Sequence, residues 1–172
     1  MITIEPPGTI PNPALSSSDL TRFLTRARLA IGLRGQVDVL LTTDSALRQL
    51  NKAFRGKDKS TDVLSFPAPR EFAKKHAGDL AISLDTATRQ ANAYGHTLAE
   101  EIKILLLHGL LHLSGEDHET DNGEMATREA TLRRKLNLPT TLIERTTRTA
   151  TKKPSATTKN TASSAKKSRG GQ

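Results

Sequence analysis

His108-Gly109-Leu110-Leu111-His112-Leu113-Ser114-Gly115-Glu116-Asp117-His118 carries three of the chain's five histidines within eleven residues. His108 and His112 are four apart, so on a helix they project from the same face, one turn from each other. The apolar run 102–107 predicts that helix, and Thr97 with Glu100 three residues later forms a capping box at its start. Gly115 can take the left-handed conformation that ends a helix and reverses the chain, which returns His118 toward the first two. Three imidazoles then surround one point and leave a fourth position open. That is the ligand set of a catalytic zinc site, whereas structural sites usually close with a fourth protein ligand. A lone histidine on an apolar helix is more often a core or surface residue. Two at this spacing, followed by a glycine and a third, favour one metal ion per chain, because imidazoles on a buried helix need partners.

The zinc-protease pattern H-E-x-x-H places a glutamate directly after the first histidine, as the general base. Gly109 stands at that position and has no side chain to take a proton. Peptide hydrolysis by that route is therefore not expected.

Composition narrows the rest. At 172 residues the chain suits one globular domain, residues 1–145, with an appendage, residues 146–172. Aromatic residues make up 3% and tryptophan is absent, so the core must be built from Leu, Ile, Val and Ala. There is no cysteine, which excludes disulfides and thiolate metal sites and leaves imidazole and carboxylate as the strong ligands. The start of the chain lacks a basic region followed by a long apolar run, and no stretch approaches the ~18 apolar residues of a membrane span. The expectation is a soluble, cytoplasmic protein with no membrane partner.

The net charge of +8 is unevenly spread: residues 146–172 hold seven basic residues and no acidic one, which leaves about +1 for residues 1–145. This segment is rich in Thr, Ser, Ala and Lys, cannot bury enough apolar surface to fold, and is expected to be disordered. A flexible basic tail suits nucleic acid held through counterion release, without sequence readout. The plainer reading is a solubilising extension.

Along the chain, residues 2–5 suit a short edge strand. Ser16, Ser17, Ser18 and Asp19 offer N-caps for a helix with Leu20, Phe23, Leu24, Ala27 and Ile31 on one face. Residues 37–42 are β-prone. Thr43 or Asp44 caps a second helix through Ala46, Leu47, Leu50 and Phe54, ended by Gly56. Residues 62–66 and 80–84 read as strands, with a loop between them that includes His76. A short helix from Asp85 ends at Gly95, and one from about Asp121 carries Met125, Leu132 and Leu136. The expected fold class is α+β (mixed α/β), a small, mostly parallel four-stranded sheet packed with about five helices.

Three segments together resemble the YbeY-type endoribonucleases that mature ribosomal RNA. They are Leu50-Asn51-Lys52-Ala53-Phe54-Arg55-Gly56-Lys57-Asp58-Lys59-Ser60-Thr61-Asp62-Val63-Leu64-Ser65-Phe66-Pro67, then Gly78-Asp79-Leu80-Ala81-Ile82-Ser83, then the histidine segment with Met125 and Glu129 beyond it. The resemblance covers roughly residues 1–140. Ser60 stands where Pro is usual, Glu116 where Tyr is common and Leu80 where Ile is common, and none of these removes a proposed ligand. The basic tail lies outside the pattern.

The resemblance implies a zinc-dependent, single-strand-specific endoribonuclease that acts on the 3′ end of small-subunit ribosomal RNA and in ribosome quality control. Single-stranded RNA and the ribosome would be its partners. His108, His112 and His118 would hold zinc, and Arg55 would face the substrate as a catalytic residue. These roles suit phosphodiester cleavage, whose transition state gathers negative charge that a metal ion and a guanidinium can stabilise. Arg can bridge two phosphate oxygens in a way Lys cannot. Asp117, beside His118, is a candidate for proton transfer or for orienting a ligand, and Asp62 and Asp79 are weaker candidates for the orienting role. His76 and His96 read as exposed and idle. The nucleophile is either a metal-activated water or the RNA 2′-hydroxyl. Two other classes stay open: a zinc hydrolase acting on another bond, and a non-catalytic ribosome-assembly factor stabilised by metal.

Overall fold

Strand β2 (Gln36–Thr42) sets the frame, because its alternating Val37, Val39 and Leu41 are all buried on one face. The computed structural model describes residues 1–5, 15–118 and 120–139. The basic segment 146–172 lies outside the described residues. On one side of β2 runs β1 (Ile2–Ile4), and on the other β4 (His76–Ser83), both parallel to it. Strand β3 (Val63–Pro67) pairs antiparallel with β4, so the order is β1-β2-β4-β3 and β3 forms an edge. Among the described residues the result is the expected mostly parallel four-stranded sheet, with five helices.

Pleating divides the side chains between two faces. Val39, Leu41, Leu80, Ile82 and Val63 look toward the larger core, which is built with α1 (Ser17–Ile31), α3 (Leu84–Tyr94), α4 (Leu98–Leu113) and α5 (Glu124–Leu136). Leu40, Ala81, Leu64 and Phe66 look the other way, where α2 (Asp44–Arg55) covers them with Leu47 and Leu50. Helix α4 is the central element. Ile102, Ile104, Leu105, Leu106 and Leu107 are fully buried, each contributing on the order of 1.5–3 kcal/mol relative to exposure. Thr97 and Glu100 form the capping box expected for it.

Gly109 lets this helix lie close on the sheet, since a Cβ there would sit 2.8 Å from Leu80 Cδ2. The residue that removes the protease base is thus a packing requirement one position after His108.

Three boundaries and one placement differ from the sequence reading. Strand β4 begins at His76 rather than near residue 80, and β3 runs through Pro67, which an edge strand tolerates because no partner needs its missing N–H. Helix α5 begins at Glu124. Asp121 precedes it and accepts hydrogen bonds from the N–H groups of Gly123 and Met125. Phe54, read with Leu47 and Leu50 among the apolar residues that mark α2, is not covered as they are and stands 69% exposed.

Candidate metal centre

Helix α4 ends at Leu113, and Gly115 follows with φ +93°, the left-handed turn that sends the chain back over the helix. The turn is held by backbone bonds from Gly115 N–H to His112 C=O and from Glu116 N–H to Leu111 C=O. His118 is thereby carried to the two helical histidines. The three ring centroids stand 4.8, 5.2 and 5.2 Å apart, and one ligand atom from each ring lies within 4.8 Å of the others. His108 is buried, His112 half-buried and His118 exposed, so the cluster opens to solvent on the His118 side.

Both helical rings are held by their Nδ1 atoms. His108 Nδ1 lies 3.0 Å from Glu129 Oε2, with both side chains buried, and Glu129 Oε1 accepts a second bond from Arg133 Nη1 at 3.2 Å. Arg133 in turn donates from Nε to the Pro139 carbonyl. His112 Nδ1 donates to the Glu116 carbonyl at 2.9 Å. With each Nδ1 acting as donor, the neutral rings present bare Nε2 lone pairs. Those two Nε2 atoms face each other at 3.2 Å. A cation between two such lone pairs would satisfy both. A tetrahedral ion with Zn–N bonds of ~2.0–2.1 Å needs ligand nitrogens about 3.3 Å apart, so the residues fit such an ion.

The electrostatics agree. Burial, then the neighbouring His108 and His118, hold the His112 pKa below the usual histidine value, against the Glu116 carbonyl and Asp117, which raise it. A lowered histidine pKa favours the neutral ring near pH 7, the form that binds metal.

Glu129 is the residue whose role the sequence reading did not assign. Its signal was present: Met125, Glu129, Leu132 and Leu136 follow helical spacing, so one carboxylate interrupts an apolar stripe. A fully buried carboxylate needs a charged or metal-linked partner, and Arg133 four residues on supplies half of that requirement.

The other candidates lie elsewhere or play other parts. Asp117 is half-buried beside His118, with Oδ2 accepting from Thr120 Oγ1 at 3.3 Å. Asp62 caps the start of β3, accepting from Val63 N–H and from Gln90, and bonds no histidine. Asp79 is exposed and pairs with His76 at 3.2 Å. These two, with Asp38, make a second group of potential donors, but its carboxylates already meet the Met1 ammonium and the His76 ring. His96 is not idle, because its nearly buried Nδ1 stands 3.1 Å from the buried Glu101.

Arg55 closes α2, exposed and on the face of the sheet opposite α4. It nevertheless belongs to the same end of the molecule. Leu113, at the end of α4, packs over Gly78 of β4, and Gly78 pairs with Pro67. Phe54, beside Arg55, packs on Phe66, the neighbour of Pro67. Between them Ser65 Oγ donates to the Gly109 carbonyl of α4 at 3.3 Å. The ends of α2 and α4 therefore flank the edge strand β3 from its two sides.

Three histidines that could hold a metal ion, open to solvent on one side and set on a mostly parallel α+β sheet, fit a candidate metal-dependent hydrolase. Residues 15–137 match the family model for endoribonuclease YbeY. A protein named endoribonuclease YbeY from Koribacter versatilis is 57% identical over 138 residues, covering 80% of this chain and 89% of its own length. Its namesake in Solibacter usitatus is 49% identical over 139 residues, covering 81% of this chain and 88% of its own. The chain belongs to the YbeY endoribonuclease family. The solution structure of TM1509 from Thermotoga maritima shares the fold with a TM-score of 0.51 at 24% identity, covering 93% of this chain and 100% of its own. Among the described residues no helix is long and apolar enough to cross a membrane.

Proposed function

We propose that this protein is a zinc-dependent endoribonuclease that cuts single-stranded RNA, acting on the 3′ end of small-subunit ribosomal RNA and in ribosome quality control in the cytoplasm. Family membership supports the reaction class. The observation that carries the metal reading is the pair of Nε2 atoms 3.2 Å apart, each belonging to a ring whose Nδ1 is held by Glu129 or by the Glu116 carbonyl.

In this reading His108, His112 and His118 hold the ion, and zinc suits an all-nitrogen set in a chain without cysteine. When bound, the ion supplies a Lewis acid for the charge that grows on the phosphate oxygens. Glu129 fixes the His108 tautomer and ring angle, as carboxylates do behind metal-ligating histidines. The exposed His118 marks the side from which the phosphodiester approaches. Asp117 sits at that mouth, close enough to influence the charge of His112, and takes up the proton of the attacking group, water or the RNA 2′-hydroxyl, at a carboxylate oxygen. Arg55 grips a phosphate of the strand from the other side of β3 with its planar fork.

The test is cleavage of end-labelled single-stranded RNA spanning the small-subunit 3′ end. Arg55→Ala is expected to lower kcat/KM about 100-fold or more, the scale of losing one preorganised donor to a developing anion. Metal content and melting temperature should stay at wild-type values, because Arg55 is exposed and makes no ion pair among the described residues. Arg55→Lys should recover only part of the loss. Wild-type protein that holds zinc yet cuts no RNA, free or on the ribosome, would refute the reading.

A further inference from the structure

Phe54 is one of only five aromatic residues in the chain, and it is 69% exposed. It continues the stripe of Leu47, Leu50 and Asn51 along α2, but past the point where the sheet can cover it. The ring is not loose. It meets Phe66 edge-on, with centroids 5.2 Å apart and planes at 66°, so one side is anchored on the half-buried Phe66 while the rest faces solvent. A single exposed apolar residue is ordinary on a protein surface. This one differs in its surroundings.

Residues 48–59 carry Arg48, Lys52, Arg55, Lys57 and Lys59 against a single acid, Asp58. Asp58 is engaged by Arg48 at 2.6 Å and by Lys52 at 3.3 Å. Among the described residues, Arg55, Lys57 and Lys59 form no ion pair. The loop bearing Lys57 and Lys59 is held in place, because Asn51 Nδ2, buried in α2, donates to the Lys59 carbonyl at 2.7 Å. A preset aromatic ring followed in the chain by three cations that form no ion pair among the described residues is the combination that grips a single strand, with bases stacking on the ring and phosphates lying along the charges. Its position also suits this use. Phe66 under the ring adjoins Ser65, whose hydroxyl bonds Gly109, the residue after His108. A strand passing round the β3 edge would reach both.

We propose that Phe54 is a base-stacking platform for single-stranded RNA, with Arg55, Lys57 and Lys59 holding the adjoining phosphates. This rests on the endoribonuclease reading and adds to it a residue that positions substrate.

The chain contains no tryptophan, so Phe54→Trp creates a single fluorescent reporter at the platform. Two ligands of equal length and charge separate base from phosphate: a 2′-O-methyl oligoadenylate and an abasic deoxyribose-phosphate strand. The tryptophan emission should be strongly quenched by the oligoadenylate and left nearly unchanged by the abasic strand. Phe54→Ala should bind the oligoadenylate roughly 5- to 100-fold more weakly, the range for one lost stacking contact. It should bind the abasic strand as wild type does, and Phe54→Tyr should restore affinity. Matching melting curves would show that the variants are folded.

Equal oligoadenylate affinity for Phe54→Ala and wild type, or equal quenching by both ligands, would overturn the platform. So would a change in solution mass with RNA affinity intact, which would make Phe54 an interface residue. If wild type still cuts RNA in any of these cases, the endoribonuclease reading stands and only the platform fails. Wild type that neither binds nor cuts single-stranded RNA removes both.

Discussion

Replacing His112 by alanine is expected to abolish stoichiometric zinc binding and RNA cleavage together while leaving the fold intact. His112 is half-buried at the end of α4, and its Nε2 faces the Nε2 of His108 at 3.2 Å. Removing it leaves two candidate ligands, one of them exposed, and no longer a three-point cage. Loss of a residue that only orients a ligand typically lowers metal affinity 10- to 100-fold, and loss of a ligand itself should exceed that. Stability reports the same event without any RNA. An ion that binds only the folded state adds about 2.7 kcal/mol when its free concentration is one hundred times Kd. Zinc should therefore raise the melting temperature of the wild type and not that of His112→Ala. In metal-free buffer the two should melt alike to within a few degrees, since the variant removes the unfavourable facing of two Nε2 lone pairs as well as packing. Equal zinc stoichiometry in both proteins would show that the imidazole cluster is not the site.

Glu129→Ala is expected to damage the folded state severely. Glu129 and Arg133 are 0% and 1% exposed at their side chains, and Glu129 joins His108 to Arg133 through its two oxygens. Truncation leaves the Arg133 charge buried without that carboxylate, and breaking a buried pair from one side costs about 3–5 kcal/mol. Denaturant unfolding should register that loss. Glu129→Gln separates stability from metal binding. The amide keeps an acceptor for one partner but carries no charge, so the variant should fold, melt earlier and bind zinc roughly 10- to 100-fold more weakly. A Glu129→Gln variant with unchanged zinc affinity would mean that His108 needs no carboxylate behind it.

Much of this was legible because the helices announce their own ends. Thr97 and Glu100 cap α4, and Gly32, Gly56 and Gly95 close α1, α2 and α3 in left-handed conformations. The histidine cluster was legible for the same reason, since helical spacing fixes His108 against His112 and Gly115 provides the turn. What local pattern could not supply was tertiary. Strand β4 starts at His76 because His76 and Gly78 pair with β2 across a register shift, while His76, Gly78 and Asp79 break the apolar pattern that marks a strand. Phe54 fits the apolar stripe of α2, yet the sheet ends before reaching it. Glu129 lies twenty-one residues from His108, and only the packing of α5 on α4 brings them together. Arg55 shows a limit of a different kind. Its motif says which family it belongs to, while its place across the edge of β3 comes from the sheet order.

The most direct test of the central claim is to strip the purified protein of metal, measure cleavage of end-labelled single-stranded RNA, and return zinc in steps. Cutting should vanish on stripping, return in full at one equivalent of zinc per chain, and remain absent from His112→Ala prepared in parallel. Stripped protein that cuts at the undiminished rate, or a His112→Ala protein that cuts as well as wild type, would contradict a metal-dependent nuclease built on His108, His112 and His118.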